Sequence, residues 1–243
     1  MSMVTLQDIK RAIEQLSTAD SDALRQWLCI SARAGIESTQ YRVAEPAVAY
    51  APDPEHPYVS VEEYLEGELY SQVRHEYVEG HVYAMAGASD DHNLIAGNIF
   101  SFLHSALRDK PCVPFIIDMK VKIQLASAFY YPDVLVACDP TDKEKYYRER
   151  PVVVVEVLSP GTRRTDEREK AAAYRLVSSV EVYVLVEQDR LRVTALHRAD
   201  GDWRREVIDG RAAALELECL GVEIPMERIY ERIGVEGSLP DTN

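Results

Sequence analysis

The chain has 243 residues, 47% of them hydrophobic and 28% charged, which suits one large globular domain with an appendage. No apolar run approaches the roughly 18 residues of a membrane span. The first residues lack the basic-then-apolar order of a secretory signal, and a cytoplasmic location is expected. The net charge of −14 argues against a protein with a uniformly basic, nucleic-acid-binding surface.

The charge is uneven. Residues 141–175 hold nine Lys or Arg against seven Asp or Glu, a local net of +2, which leaves −16 on the rest. Acidity elsewhere lowers non-specific affinity for nucleic acid without forbidding a local contact. The four cysteines, Cys29, Cys112, Cys138 and Cys219, form no CxxC pair and are expected as reduced thiols.

Residues 5–33 read as two short helices, with Leu6, Ile9, Ile13 and Leu16 giving one apolar stripe and Leu24, Trp27, Leu28 and Ile30 another. The organisation expected is a helical hairpin over 1–44, a Pro-rich linker over 45–56, a main domain over 57–233 and a polar tail over 234–243. A short helix is expected from Val59 to Glu66, with Ser60 and Glu63 forming a capping box. Arg74 to Met85 reads as a hairpin turning at Gly80. Glu76 lies inside its first strand, where an exposed carboxylate paired with Arg74 is the simplest reading. Ser89 caps an amphipathic helix of about 15 residues that carries His92 in its first turn.

Val113 to Gln124 alternates as one strand, with Asp118, Lys120 and Lys122 on its polar face. Ala128 to Val136 is expected as the next strand. Pro151 to Val157 is almost continuously apolar, as in a central strand covered on both faces. Thr162 to Val177 reads as a helix burying Ala171, Ala172, Leu176 and Val177. Further strands are expected at Val182–Val186, Leu191–Leu196, Trp203–Ile208 and Leu215–Cys219, with a last short helix from Pro225. The order implies an α/β fold, a mixed sheet flanked by helices, with the N-terminal helical hairpin appended. No phosphate-binding Gly-rich loop and no nucleophile elbow is present.

Asp133 and Glu156 stand out, because both lie in or beside runs of Val and Leu. A buried carboxylate costs several kcal/mol unless compensated. If the two strands are neighbours, both carboxylates reach one face, where mutual repulsion raises one pKa unless a cation intervenes. Mg²⁺ suits that position, since it takes one or two carboxylates, keeps several waters and engages phosphate oxygens.

Tyr131-Pro132-Asp133, Val155-Glu156-Val157-Leu158-Ser159-Pro160 and the spaced Asp166, Lys170 and Tyr174 resemble the Uma-type restriction-endonuclease family of the PD-(D/E)XK nuclease superfamily. The resemblance covers roughly Pro57 to Ile233. It implies a restriction-endonuclease-like fold and a Mg²⁺- or Mn²⁺-dependent endodeoxyribonuclease acting on DNA, with Asp133 and Glu156 as metal ligands. It also matches Glu76 before Gly80 and His92 opening a helix. The motif lysine is missing, since Leu158 stands two positions after Glu156. The resemblance therefore implies a relocated lysine, with Lys170 as the catalytic candidate and Lys120 and Lys122 as rivals. Asp166, Lys170 and Tyr174 fall at i, i+4 and i+8 of one helix face. Without the resemblance, the Asp166–Lys170 pair reads as a solvated salt bridge. The alternative function is a catalytically inactive nucleic-acid-binding or protein-interaction module on a nuclease fold. A homodimer is the expected assembly, with the N-terminal hairpin packing on the main domain or on a copy of itself.

Overall fold

The computed structural model describes residues 58–199 and 201–235. The expected hairpin and linker lie outside the described residues. Among those described, a large sheet of six strands, a second of five and a ribbon of two are flanked by helices. No described helix is long and apolar enough to cross a membrane.

Helix α1 (Val61–Tyr70) opens with the expected capping box, Ser60 and Glu63 each accepting from the other's backbone N–H. It runs past Glu66 to an end at Ser71, because Gly67 is tolerated within it. Strands β1 (His75–Val78) and β2 (His81–Ala84) pair through a two-residue turn at Glu79 and Gly80, both with positive φ, the conformation tight hairpins require. Tyr58 packs so closely on Gly80 that any Cβ there would clash with its ring. Helix α2 (Asp90–Ala106) is capped by Ser89 and buries Ile95, Ala96, Ile99 and Leu103 at helical spacing.

The next two segments each break in the middle, contrary to the single strands expected. Val113 to Gln124 divides into β3 (Val113–Ile116) and β4 (Lys120–Ile123), and Ala128 to Val136 into β5 (Ala128–Tyr130) and β6 (Val134–Ala137). In each case one half joins the six-stranded sheet and the other the five-stranded sheet. Pro132 accounts for the second break, since it has no N–H to give to a ladder. The first falls at Ile117, whose φ of 61° turns the chain out of extended geometry. The two corners are joined where Ile117 N–H donates to the Asp133 carbonyl at 3.0 Å.

Strand β7 (Tyr147–Arg148) pairs with β4, and β8 (Pro151–Leu158) runs through the middle of the large sheet. A helical segment follows, a wide π turn over Thr165–Lys170 continuing into α3 (Ala171–Arg175). It buries Ala171, Ala173, Tyr174 and Val177, whereas Ala172 and Leu176 are exposed. The extra residue in the wide turn shifts the face that the 3.6-residue spacing predicts. Then come β9 (Val182–Glu187), β10 (Arg192–Ala199), β11 (Asp202–Asp209), β12 (Ala214–Leu217), β13 (Val222–Pro225) and α4 (Met226–Ile229). The large sheet has the order β11-β10-β9-β8-β6-β3 and is antiparallel except at β8–β9, the pair joined by the helical crossover.

Val153, Val155 and Val157 of β8 pack toward α2, while Val154 and Leu158 pack toward α3. Both faces of the strand are therefore covered. Cys112 and Cys138 are not free thiols. They are disulfide-bonded, because the register that sets Val113 opposite Ala137 sets these two opposite one another at the next step.

Candidate functional site

Register places Asp133 and Glu156 together. Strand β6 runs antiparallel to β8 with Val134 opposite Val155 and Leu135 opposite Val154. One step further along that register sets Asp133 opposite Glu156. Opposite residues of an antiparallel pair share a face, with Cβ atoms roughly 5 Å apart. Glu156 lies on the face of Val154 and Leu158, which is covered by the π turn and α3, while Asp133, in the bend before β6, reaches His92 at the start of α2. Neither Asp133 nor Glu156 is left as a bare carboxylate in an apolar sheet.

Asp133 is held at both oxygens. His92 Nε2 lies 2.8 Å from Oδ1, the tautomer with hydrogen on Nε2 donating, and the Val157 N–H donates to Oδ2 at 2.7 Å. Helix α2 thus aims its first turn at the strand corner. Glu156 is 3% exposed. Lys170 Nζ donates to its Oε1 at 3.2 Å and Tyr174 OH donates to the same oxygen at 3.4 Å.

Lys170 is the hub. Its ammonium lies 2.8 Å from Glu76 Oε1, 3.2 Å from Glu156 Oε1 and 3.2 Å from Asp166 Oδ1. It also sits over the Tyr130 ring, 5.6 Å from the centroid, a cation–π contact. Asp166 Oδ1 is buried and makes no hydrogen bond, so its contact with Lys170 is Coulombic rather than aligned. The solvated salt bridge that the i, i+4 spacing suggests is instead buried, with Asp166 at 1% and Lys170 at 5% exposure. Glu76 pairs with Lys170 and not with Arg74, which goes to Asp118 at 3.1 Å.

The electrostatics follow from this crowding. Burial pushes the Glu156 carboxyl well above its ordinary value. Lys170 opposes that shift, while Asp166, Asp133 and Glu76 add to it. Burial alone would lower Lys170, but Glu156, Glu76 and Asp166 outweigh it and hold the ammonium well above its usual range. Tyr174 is likewise raised, first by burial and then by Glu156.

Seven side chains singled out in the sequence therefore fall in two adjoining groups: His92 with Asp133, and Glu76, Glu156, Asp166 and Tyr174 around Lys170, joined where Asp133 accepts from the Val157 N–H next to Glu156. Lys120 and Lys122 do not join it. Lys120 is buried and donates to Tyr131 OH at 3.0 Å, and Tyr131 OH donates to Glu68 at 2.6 Å. Lys122 pairs with Glu149 at 2.8 Å. The break at Ile117 separates both lysines from the polar face the alternation suggested. Some members gave no sequence signal. The Val157 N–H is a backbone group, and Tyr183, which donates to the Asp166 carbonyl at 2.9 Å, reads as a core residue of β9. Among the described residues no group of three or more His, Cys, Asp or Glu side chains is arranged to hold a metal ion as it stands. Lys170 fills the space that three of the carboxylates border.

A profile of the Uma2 family, described as "Putative restriction endonuclease", matches residues 61–227. The chain belongs to this family. The matched span includes all seven clustered residues. An "Uncharacterized protein" of Synechocystis sp. is 33% identical over 186 residues, covering 75% of this chain and 97% of the relative. Another "Uncharacterized protein" of the same organism is 27% identical over 164 residues, covering 66% and 93%. The fold is similar to a crystal structure from Anabaena variabilis titled "a putative nuclease", with a TM-score of 0.59 at 15% identity, covering 71% of this chain and 97% of that one. At that identity the likeness establishes the nuclease-like fold alone. Within this Uma2 chain, Leu158 is a buried apolar residue, and the ammonium beside Glu156 comes from the crossover helix instead.

Proposed function

We propose that the protein is a divalent-metal-dependent endodeoxyribonuclease, with Asp133 and Glu156 as metal ligands and Lys170 as the catalytic lysine. The observation that carries this is the Lys170 ammonium, 3.2 Å from a Glu156 carboxyl that also feels the charge of Asp133. Two carboxylates from adjacent strands are the donor set Mg²⁺ takes while keeping several waters, and Mn²⁺ accepts the same oxygen ligands. The hydrogen-bonded imidazole behind Asp133 is the kind of outer partner that fixes a metal ligand. When bound, the ion supplies Lewis acidity toward a phosphate oxygen and a water of lowered pKa.

The chain's own residues do the rest. His92 and the Val157 N–H fix the Asp133 carboxylate, and Tyr174 fixes Glu156. Lys170 donates toward charge developing on the phosphate or toward the attacking water. Glu76 and Asp166 hold that ammonium charged and in place.

One observation favours a second reading, a non-catalytic nucleic-acid-binding or protein-interaction module. Lys170 already compensates Glu156, Glu76 and Asp166 without any metal. Titration of Mn²⁺ into the full chain by calorimetry separates the two. The nuclease reading expects binding that Asp133→Asn and Glu156→Gln abolish, and the module reading expects none. The homodimer proposal rests on residues 1–44 and is tested by solution mass after their deletion.

A further inference from the structure

Beside the cluster, the edge strand β2 carries rings that the nuclease reading does not use. Tyr83 is the register partner of Glu76, and His81 of Val78. Both rings therefore stand on the face from which Glu76 reaches Lys170. The His81 and Tyr83 centroids are 6.4 Å apart, and Tyr58 continues the row at 5.0 Å from His81. Tyr58 is 67% exposed, and Gly80 leaves the room for its ring. Among the described residues no strand pairs on the far side of β2, so the row lies along a sheet edge. Burial, then the charges of Glu169 and Glu79, hold the Tyr83 phenol above its usual value.

We infer that Tyr83, His81 and Tyr58 form a stacking platform that holds unpaired bases of a single-stranded nucleic acid leading into the cluster. The inference rests on the nucleic-acid substrate proposed above and names its form. Aromatic rows accept bases of any sequence, because every base has a π face. A duplex keeps those faces within its own stack, so the row selects an unpaired strand. The negative charges of Glu169 and Glu79 that reach Tyr83 repel phosphates, so the rings rather than backbone contacts hold the strand here. Binding here is therefore expected to depend on the rings more than on salt.

The test is fluorescence anisotropy of a labelled oligothymidine with the full chain in EDTA, so that binding is read without cleavage. Tyr58→Leu and Tyr83→Leu are each expected to weaken binding about tenfold, the scale of one stacked base. Tyr83→Phe is expected to bind like the parent, since stacking needs the ring and not the hydroxyl. Should Tyr83→Leu fail to fold, the exposed Tyr58→Leu carries the comparison alone. An oligouridine arm tells which backbone the platform accepts, and ring-dependent binding of either strand supports it. Unchanged affinity in the Leu variants, or no binding of either strand by the parent, overturns it. Ring-dependent binding by a chain that never cleaves would leave the platform standing and remove the nuclease reading.

Discussion

The Lys170 ammonium lies 3.2 Å from Glu156 Oε1, 14 positions apart in sequence, with both side chains buried. The crossover from β8 to β9 brings them together, because the helical segment after Pro160 lies back over the face that Glu156 presents. On the proposed function, a cation delivered this way takes the role of the motif lysine that Leu158 does not supply. It also stands among carboxylates that a metal would need.

That double position makes Lys170→Met informative. Removing the ammonium leaves Glu76, Glu156 and Asp166 without their shared partner. The metal-free protein is expected to lose stability on the order of 3–5 kcal/mol, the usual cost of breaking a buried pair. Mn²⁺ affinity should rise, since an internal competitor has gone, and cleavage should disappear. Calorimetry and melting curves with and without Mn²⁺ check both parts, with a larger metal-induced rise in Tm expected for the variant than for the parent.

The raised Glu156 carboxyl sets the sign of the pH dependence. Folded, it holds its proton to higher pH than in the unfolded chain, so metal-free stability falls as pH rises from about 4.5 through the raised value. Lys170 acts in the other range. Its stabilising contribution is complete below about 10.5, the unfolded value, and is lost only above it. Metal affinity should climb with pH across the Glu156 window, because protons and metal compete for the same oxygens. Glu156→Gln should flatten the part of the stability profile that Glu156 causes, as urea melts at several pH values would record.

His92 touches Asp133 and not Glu156. In His92→Ala the Val157 N–H still holds one Asp133 oxygen, so the fold should survive. Metal affinity is expected to fall about 10- to 100-fold, as for other partners of metal ligands. Calorimetry on His92→Ala and His92→Gln, the latter keeping a donor, measures it.

Ile117 has a φ of 61° and is 46% exposed. A β-branched residue there costs of order 1–3 kcal/mol, and little burial offsets it. Ile117→Gly should therefore stabilise the protein by about 1 kcal/mol in urea denaturation.

The Cys112–Cys138 bond spans 26 residues that include both sheet-switching corners. Cys138→Ser, read against the oxidised parent, should lower stability by about 3 kcal/mol on the chain-entropy account.

Much of this arrangement was legible in the sequence. Asp133 and Glu156 announced themselves as charges among Val and Leu, and Ser60 and Ser89 announced two helix starts. Alternation hid the breaks at Ile117 and Pro132, because the hydrophobic period runs through both corners. Only the proline offered a warning. The burial of Lys170 was not legible, since an i, i+4 Asp–Lys pair has the same spacing on a wet face as on a dry one. The wide π turn also shifted the buried face of its helix away from Ala172 and Leu176. The disulfide depended on a strand register that spacing alone does not supply.

The central claim, that the cluster around Asp133 and Glu156 cuts DNA with a divalent ion, meets its most direct test in one cleavage assay. The full chain, Asp133→Asn and Glu156→Gln are incubated side by side with plasmid and single-stranded circular DNA in Mg²⁺, Mn²⁺ or EDTA. The account predicts cutting by the parent with metal only, and none by either folded variant. Absence of cutting by the parent on every substrate, or equal cutting by the variants, would contradict it.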